Sequence, residues 1–206
     1  EEAAIEVATA TGVIEQFDGF FEHEDITPSE LAERLIDPGE YWGWPNGIAV
    51  PTQVSKQADV CQIFTLHSND YDRKVIEANY EYYEPRTQHG SSLSPSVYGT
   101  VASWIGYTER AREYFIKSCS VDLFNTNKSV SGGTFIGGIH TAACGAAWQM
   151  IVFGFAGFEL DGSTLRFRPD LPPQWDSVSF FLEIRGAFLD VEVTSHQTVY
   201  AFGTPV

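Results

Sequence analysis

The chain of 206 residues carries 12 lysines and arginines against 28 aspartates and glutamates, a net charge of −16. With no basic cluster beyond Arg110-Ala111-Arg112, such a surface repels a nucleic-acid duplex and an anionic membrane, and both are excluded as partners. A composition that is 43% hydrophobic and 14% aromatic supports a packed core rather than disorder.

The first residues, Glu1-Glu2-Ala3-Ala4, are acidic, show no secretory pattern and include no methionine. They predict a processed product or a piece of a longer polypeptide. Gly12 to Phe21, rich in glycine and aromatics, reads as a buried or pocket-lining turn. Thr27-Pro28-Ser29-Glu30 opens a short helix, with proline in its first turn. Tyr41-Trp42-Gly43-Trp44-Pro45-Asn46 is a polar, aromatic loop.

From Ser55 the period becomes helical. Val60, Ile63, Phe64 and His67 recur at spacings of three and four, and residues 70–81, 93–106, 108–119 and 139–153 follow the same pattern. Asn69-Asp70 and Gly106 punctuate it. The small residues of Thr141 to Trp148 predict an interior helix packed closely on its neighbours. In all, about five or six helices are expected. They form neither a heptad bundle nor a repeat array, and half of a larger helical ring would have this pattern.

Near Gly157 the period changes to two. Leu165 to Pro169, Val178 to Ile184, Phe188 to Val193 and Thr198 to Phe202 read as strands, with turns at Gly162-Ser163 and Arg185-Gly186. About four antiparallel strands with an open edge are expected, following a boundary near residues 155–163. No apolar run reaches the roughly 18 residues of a membrane-crossing helix. Cys61, Cys119 and Cys144 are few, odd in number and widely spaced. They read as reduced thiols of a cytoplasmic protein, packed as small apolar residues.

Chemistry concentrates in Glu84-Pro85-Arg86-Thr87-Gln88-His89-Gly90-Ser91-Ser92-Leu93-Ser94, a polar loop that runs into a helix. Hydroxyls and free N–H groups at a helix start either cap the helix or bind an anion. Lys56-Gln57-Ala58-Asp59 at another helix start either hydrogen-bonds a polyol such as a sugar or is a solvated terminus. His140, after Gly137-Gly138, either holds an anion or moves a proton, or is a hydrogen-bonded core histidine. Glu84 is the carboxylate best placed for acid–base work. Glu15, Asp18, Glu22 and Glu24 read as solvated or capping groups. There is no G-x-S-x-G elbow, no Walker A loop and no metal-ligand spacing among the five histidines.

Five blocks in order carry a resemblance: Gly12 to Phe21, Lys56-Gln57-Ala58-Asp59-Val60, Tyr82 to Ser94, Gly138-Ile139-His140-Thr141-Ala142-Ala143 and Gly154-Phe155-Ala156-Gly157. Together they resemble glycoside hydrolase family 65, which includes the inverting phosphorylases of maltose, kojibiose, nigerose and trehalose together with some hydrolases. The resemblance implies that residues 1–157 are the second half of an (α/α)6 barrel and that residues 158–206 are part of a C-terminal antiparallel β domain. It also implies that Lys56 and Gln57 contact the glucosyl unit, and that Ser91, Ser92 and His140 form the phosphate pocket. The substrates implied are an α-linked disaccharide and inorganic phosphate, with no cofactor and no metal. A homodimer is a further implication.

The family's general acid, a glutamate, should lie upstream of Glu1. The chain is therefore expected to be a C-terminal fragment, inactive alone, which needs the missing N-terminal part. Two alternatives stay open. One is a hydrolase of the same family with Glu84 as the base that activates water. The other is a non-catalytic sugar-binding or assembly module.

Overall fold

The computed structural model describes residues 12–37, 39–123 and 139–203. Its elements are helices α1 (Pro28–Ala32), α2 (Asp59–Leu66), α3 (Arg73–Tyr83), α4 (Ser94–Ile105), α5 (Thr108–Ser120) and α6 (Thr141–Gln149), then strands β1 (Glu159–Asp161), β2 (Thr164–Arg166), β3 (Ser177–Ile184), β4 (Ala187–Thr194) and β5 (Thr198–Gly203). The described chain is thus mainly helical, with antiparallel sheets at its C-terminal end.

Helix α1 is short and depends on its cap. The Thr27 N–H donates to the Glu30 carboxylate at 2.9 Å, and the Glu30 N–H returns to the Thr27 hydroxyl at 3.3 Å. Two orphan donors of the first turn are satisfied in this way. Helix α2 begins later than the periodicity predicts. Residue 55 is held in an extended bridge, with the Ser55 N–H donating to Arg86 O (2.9 Å) and the Gln88 N–H to Ser55 O (2.8 Å). Lys56 and Gln57 therefore precede the helix instead of starting it, and Ala58 is the N-cap.

Helix α4 is the centre of the molecule and buries nearly its whole surface. Val97, Tyr98, Val101 and Ala102 pack there against Cys61 and Phe64 of α2, Tyr80 and Tyr83 of α3, and Ala111 and Tyr114 of α5. Helix α5 returns antiparallel after Gly106, whose φ of 85° fits a left-handed cap that glycine adopts without strain. Asn79, fully buried, ties in the first described segment by accepting from the Ile14 N–H (2.8 Å) and donating to Gly12 O (2.8 Å).

Helix α6 runs on into a π-helical turn, Met150–Phe155, in which the Ala156 N–H reaches back five residues to Ile151 O at 2.8 Å. This segment lies parallel to α4. Gly99 faces Met150, Gly154 faces Thr100 and Ser103, and the Trp104 indole N–H donates to Phe153 O at 2.6 Å. Residue numbers rise together along both helices, so α4 and α6 start at the same end.

The expected interior position of α6 is corrected: only Ala143 and Ala147 are buried, while Thr141, Ala142, Cys144, Gly145 and Trp148 are exposed. The two alanines, four residues apart, form one narrow stripe against α4 and α5. Small residues on the other faces have no close neighbour among the described residues. The reading of the cysteines as packed apolar residues holds for Cys61 alone, since Cys119 and Cys144 are free and exposed. Burial raises the Cys61 thiol well above its ordinary range.

Among the described residues the C-terminal part holds five strands, one more than the sequence suggests. The pair β1–β2 is antiparallel around Gly162, and β1, three residues long, leaves no readable period. The remaining three form a meander in the order β3-β4-β5. Leu182, Leu189, Val191 and Val193 are buried on one face, close to Ala156. Tyr200 and Phe202 sit in register with Val191 and Leu189 and share that face, but on the edge strand they stay exposed.

Candidate active site

The sequence-predicted residues come from three separate stretches, and backbone hydrogen bonds join two of them. The Gln88 N–H bonds Ser55 O, and the Gly90 N–H donates to Lys56 O at 3.0 Å. The loop that carries the serines is thereby zipped along the strand-like segment that carries Lys56 and Gln57. Both of those side chains are exposed. Gln57 donates to the Asp59 carboxylate at 2.8 Å, and Gln16 reaches the other Asp59 oxygen at 3.2 Å. Gln16 also accepts from the Ser55 hydroxyl at 2.7 Å, so residues 16, 55, 57 and 59 make one polar chain.

The serine loop does not cap α4 with a side chain. Leu93 is the N-cap residue, and no side-chain cap bond forms. The Ser91 hydroxyl accepts only a 3.3 Å bond from the Leu93 N–H. Ser91 and Ser92 are half-buried, and the Ser94 hydroxyl is buried without a partner among the described residues. The Ser94 N–H donates to Ser91 O at 3.2 Å, the Val97 N–H donates to Leu93 O at 3.3 Å, and Pro95 has no N–H, so an anion at this helix start would be met by the hydroxyls of Ser91 and Ser92.

His140 stands at the start of α6, the helix parallel to α4, and is the N-cap residue there. Its partner was not legible in the sequence. Asp122, just past the C-terminal end of α5, accepts from the His140 backbone N–H at 2.8 Å and lies 2.6 Å from ring Nδ1. The hydrogen bond from His140 holds the Asp122 carboxyl below the usual aspartate range. No contact within hydrogen-bond distance joins His140 to Ser91 or Ser92. What brings them to the same end of the molecule is the parallel course of α4 and α6. The segment 124–138, which includes Gly137-Gly138 before His140, lies outside the described residues.

Glu84 is not a free base. It is half-buried, it pairs with Arg110, and it accepts the hydroxyl proton of Tyr114. Burial pushes its carboxyl up, but the bonds from Tyr114 and Arg110 and the Arg110 charge outweigh burial and leave it below the ordinary glutamate value. Tyr114 also contacts His89, whose Nε2 lies 3.2 Å from the hydroxyl. Because the tyrosine proton goes to Glu84, His89 Nε2 carries its own proton and donates it. Burial pushes His89 down to about 4, so this ring is neutral near pH 7. His89 also sits at φ 54°, a left-handed conformation that non-glycine residues adopt at a cost of about 1 kcal/mol. The following Gly90 then turns toward Lys56. Arg110, Tyr114 and His89 thus brace the serine loop from below, a role that sequence spacing could not show.

Chemically, the arrangement offers the serine hydroxyls ahead of one helix, a histidine held by a carboxylate ahead of a second helix parallel to it, and an exposed lysine. It suits an oxyanion better than a metal. Among the described residues no group of three or more His, Cys, Asp or Glu side chains could hold a metal ion. No described helix is long and apolar enough to cross a membrane.

Residues 1–149 match the glycosyl hydrolase family 65 central catalytic domain, and residues 158–206 match the C-terminal domain of the same family. The sequence is 54% identical over 187 residues to the 1,2-alpha-glucosylglycerol phosphorylase of Bacillus selenitireducens, covering 90% of this chain and 25% of that protein. It is 39% identical over 185 residues to the nigerose phosphorylase of Lachnoclostridium phytofermentans, with 90% and 25% covered. A solved protein from the human microbiome, given provisionally as a kojibiose phosphorylase, superposes with a TM-score of 0.80 at 31% identity, over 95% of this chain and 26% of its own. The chain therefore spans about a quarter of the length of the curated relatives it matches.

Proposed function

The chain belongs to glycoside hydrolase family 65, and we propose that it supplies the phosphate-binding and part of the glucosyl-binding face of an inverting disaccharide phosphorylase. The reaction is the attack of a phosphate oxygen on the anomeric carbon of an α-glucoside, from the side opposite the leaving sugar. The new C–O bond to phosphate forms as the glycosidic C–O bond breaks. The products are β-glucose 1-phosphate and a free acceptor, whose oxygen takes the proton delivered by a general acid. That acid is assigned to a glutamate in a part of the enzyme preceding this chain. The helices are read as half of an (α/α)6 barrel, with the two halves joined in a longer polypeptide.

In this reading the hydroxyls of Ser91 and Ser92, just ahead of α4, hold phosphate from one side, and His140 at the start of α6 holds it from the other. Lys56 and Gln57 orient the glucosyl unit. Phosphate is its own nucleophile, so the site needs donors rather than a carboxylate base. The single observation that carries the reading is the parallel course of α4 and α6, which brings the half-buried serines ahead of one helix and His140 ahead of the other to the same end of the molecule. Among α-glucosides, 2-O-α-glucosylglycerol is the first to try, given the relative at 54% identity.

The hydrolase alternative requires Glu84 to take a proton from water, and Arg110 and Tyr114 occupy it instead. Glu84→Gln tests the two readings in the complete enzyme. As a brace, the variant should keep its rate within about tenfold while its unfolding midpoint falls, because a neutral amide holds Arg110 and the Tyr114 hydroxyl less strongly than the shielded carboxylate does. A loss of about three orders of magnitude or more with an unchanged unfolding midpoint is the signature of a catalytic base and would overturn the assignment.

A further inference from the structure

We propose that Asp122 is the positioning residue of the phosphate site, holding His140 in the one tautomer and ring orientation that leaves Nε2 for the bound anion. The proposal rests on the assignment of His140 to phosphate made above.

The geometry is two-pronged. One Asp122 oxygen lies 2.6 Å from His140 Nδ1, and the other accepts from the His140 backbone N–H at 2.8 Å. A carboxylate only accepts, so Nδ1 carries a proton whether the imidazole is neutral or charged. Nε2 is then the only ring nitrogen left for a ligand. It donates to a phosphate oxygen when the ring is charged, and it accepts from a P–OH group when the ring is neutral. Both forms of the ring suit hydrogen phosphate. With its backbone N–H and its ring both tied to one carboxylate, His140 loses its side-chain rotation before the ligand arrives, and the ordering cost is met in the free enzyme.

The placement of Asp122 supports the same conclusion. It follows the C-terminal end of α5, where a negative charge is disfavoured by the helix dipole, and it meets the N-terminal end of α6, where one is favoured. A carboxylate near an anion site also weakens that site by repulsion unless a donor stands between them. His140 is that donor when its ring is charged. The pair is largely shielded, with 17% and 22% of its side-chain surfaces exposed, so the contact is not a solvated surface bridge of negligible consequence.

The test uses the complete enzyme and steady-state phosphorolysis with inorganic phosphate varied. Asp122→Ala should raise KM for phosphate about 10- to 100-fold, the usual scale for losing a residue that orients a ligand-holding histidine. At saturating phosphate, KM for the glucoside should stay within about threefold. In a His140→Ala background, Asp122→Ala should add nothing further, since the two act as a unit. A purely structural tie between α5 and α6 would lower the unfolding midpoint without this split. An unchanged phosphate KM, or a full Asp122→Ala effect persisting without His140, overturns the proposal. Asp122→Asn guards against misfolding, because it keeps the volume and one acceptor. It should raise phosphate KM several-fold, and no change there overturns the proposal as well. If His140→Ala alone leaves phosphate KM unchanged, it is the phosphate assignment that fails, and the proposal falls with it.

Discussion

Replacing Ser91 or His140 with alanine in the complete enzyme is expected to slow phosphorolysis by about one to three orders of magnitude, the scale for losing one preorganised oxyanion donor. Each residue stands at the start of a helix, and the two helices run parallel. The Ser91 hydroxyl and the His140 ring are therefore brought to the same end of the molecule. Ser91 is suited to give up its hydroxyl, since its only described bond is a long one from the Leu93 N–H. The loss should appear mainly in KM for phosphate, with circular dichroism unchanged. Rates within twofold of the parent for both variants would remove the phosphate site from this end of the molecule.

A large effect on stability is expected at Gly157, where the helical part gives way to the strands. Its φ is 58°, and a Cβ there would lie 2.1 Å from Arg168 O and 2.6 Å from Arg168 C. Both are backbone atoms, so no side chain can swing aside. The same two stretches are tied by the Arg168 N–H to Gly157 O at 3.1 Å and the Asp170 N–H to Phe155 O at 2.8 Å. Gly157→Ala must pull these bonds apart in addition to straining the backbone. It should cost about 4 kcal/mol, at the upper end of single-substitution effects. Gly162 provides the control: its φ is 60°, but nothing lies within 4 Å of the Cβ position. Gly162→Ala should cost only the left-handed strain of about 1 kcal/mol. Denaturant unfolding of the two variants in parallel separates the terms, and equal costs would mean that the close approach of Arg168 does not matter.

Much of the helical part was legible because its period is strong. Val97, Val101 and Ala102 on α4, and Ala111 and Tyr114 on α5, fall at helical spacing, and Gly106 marks the break between them. Failures came where distant residues decide the outcome. Ser55 looks like the start of a helix, but Arg86 and Gln88 draw it into an extended bridge. The small residues of α6 look buried on every side, yet among the described residues only the Ala143–Ala147 stripe is buried. The π turn at Met150–Phe155 has no signature in a periodicity that reads 3.6 residues per turn.

The same division holds at the site. The serine loop, the lysine–glutamine pair and His140 could be picked out by residue type and by a family resemblance. Their partners could not, since Arg110 lies 26 residues from Glu84 and Asp122 lies 18 residues from His140. Glu84 illustrates the consequence. In sequence it is a carboxylate flanked by tyrosines and a proline, a plausible base. In three dimensions Arg110 and Tyr114 turn it into a brace for the loop that carries Ser91 and Ser92.

The most direct test of the proposed reaction is a proton NMR time course of the complete enzyme with an α-linked glucoside, 2-O-α-glucosylglycerol first, with and without inorganic phosphate. The account predicts that β-glucose 1-phosphate is the first product, that it accumulates in step with free acceptor, and that turnover without phosphate is negligible. Free glucose released at the same rate whether or not phosphate is present would contradict it.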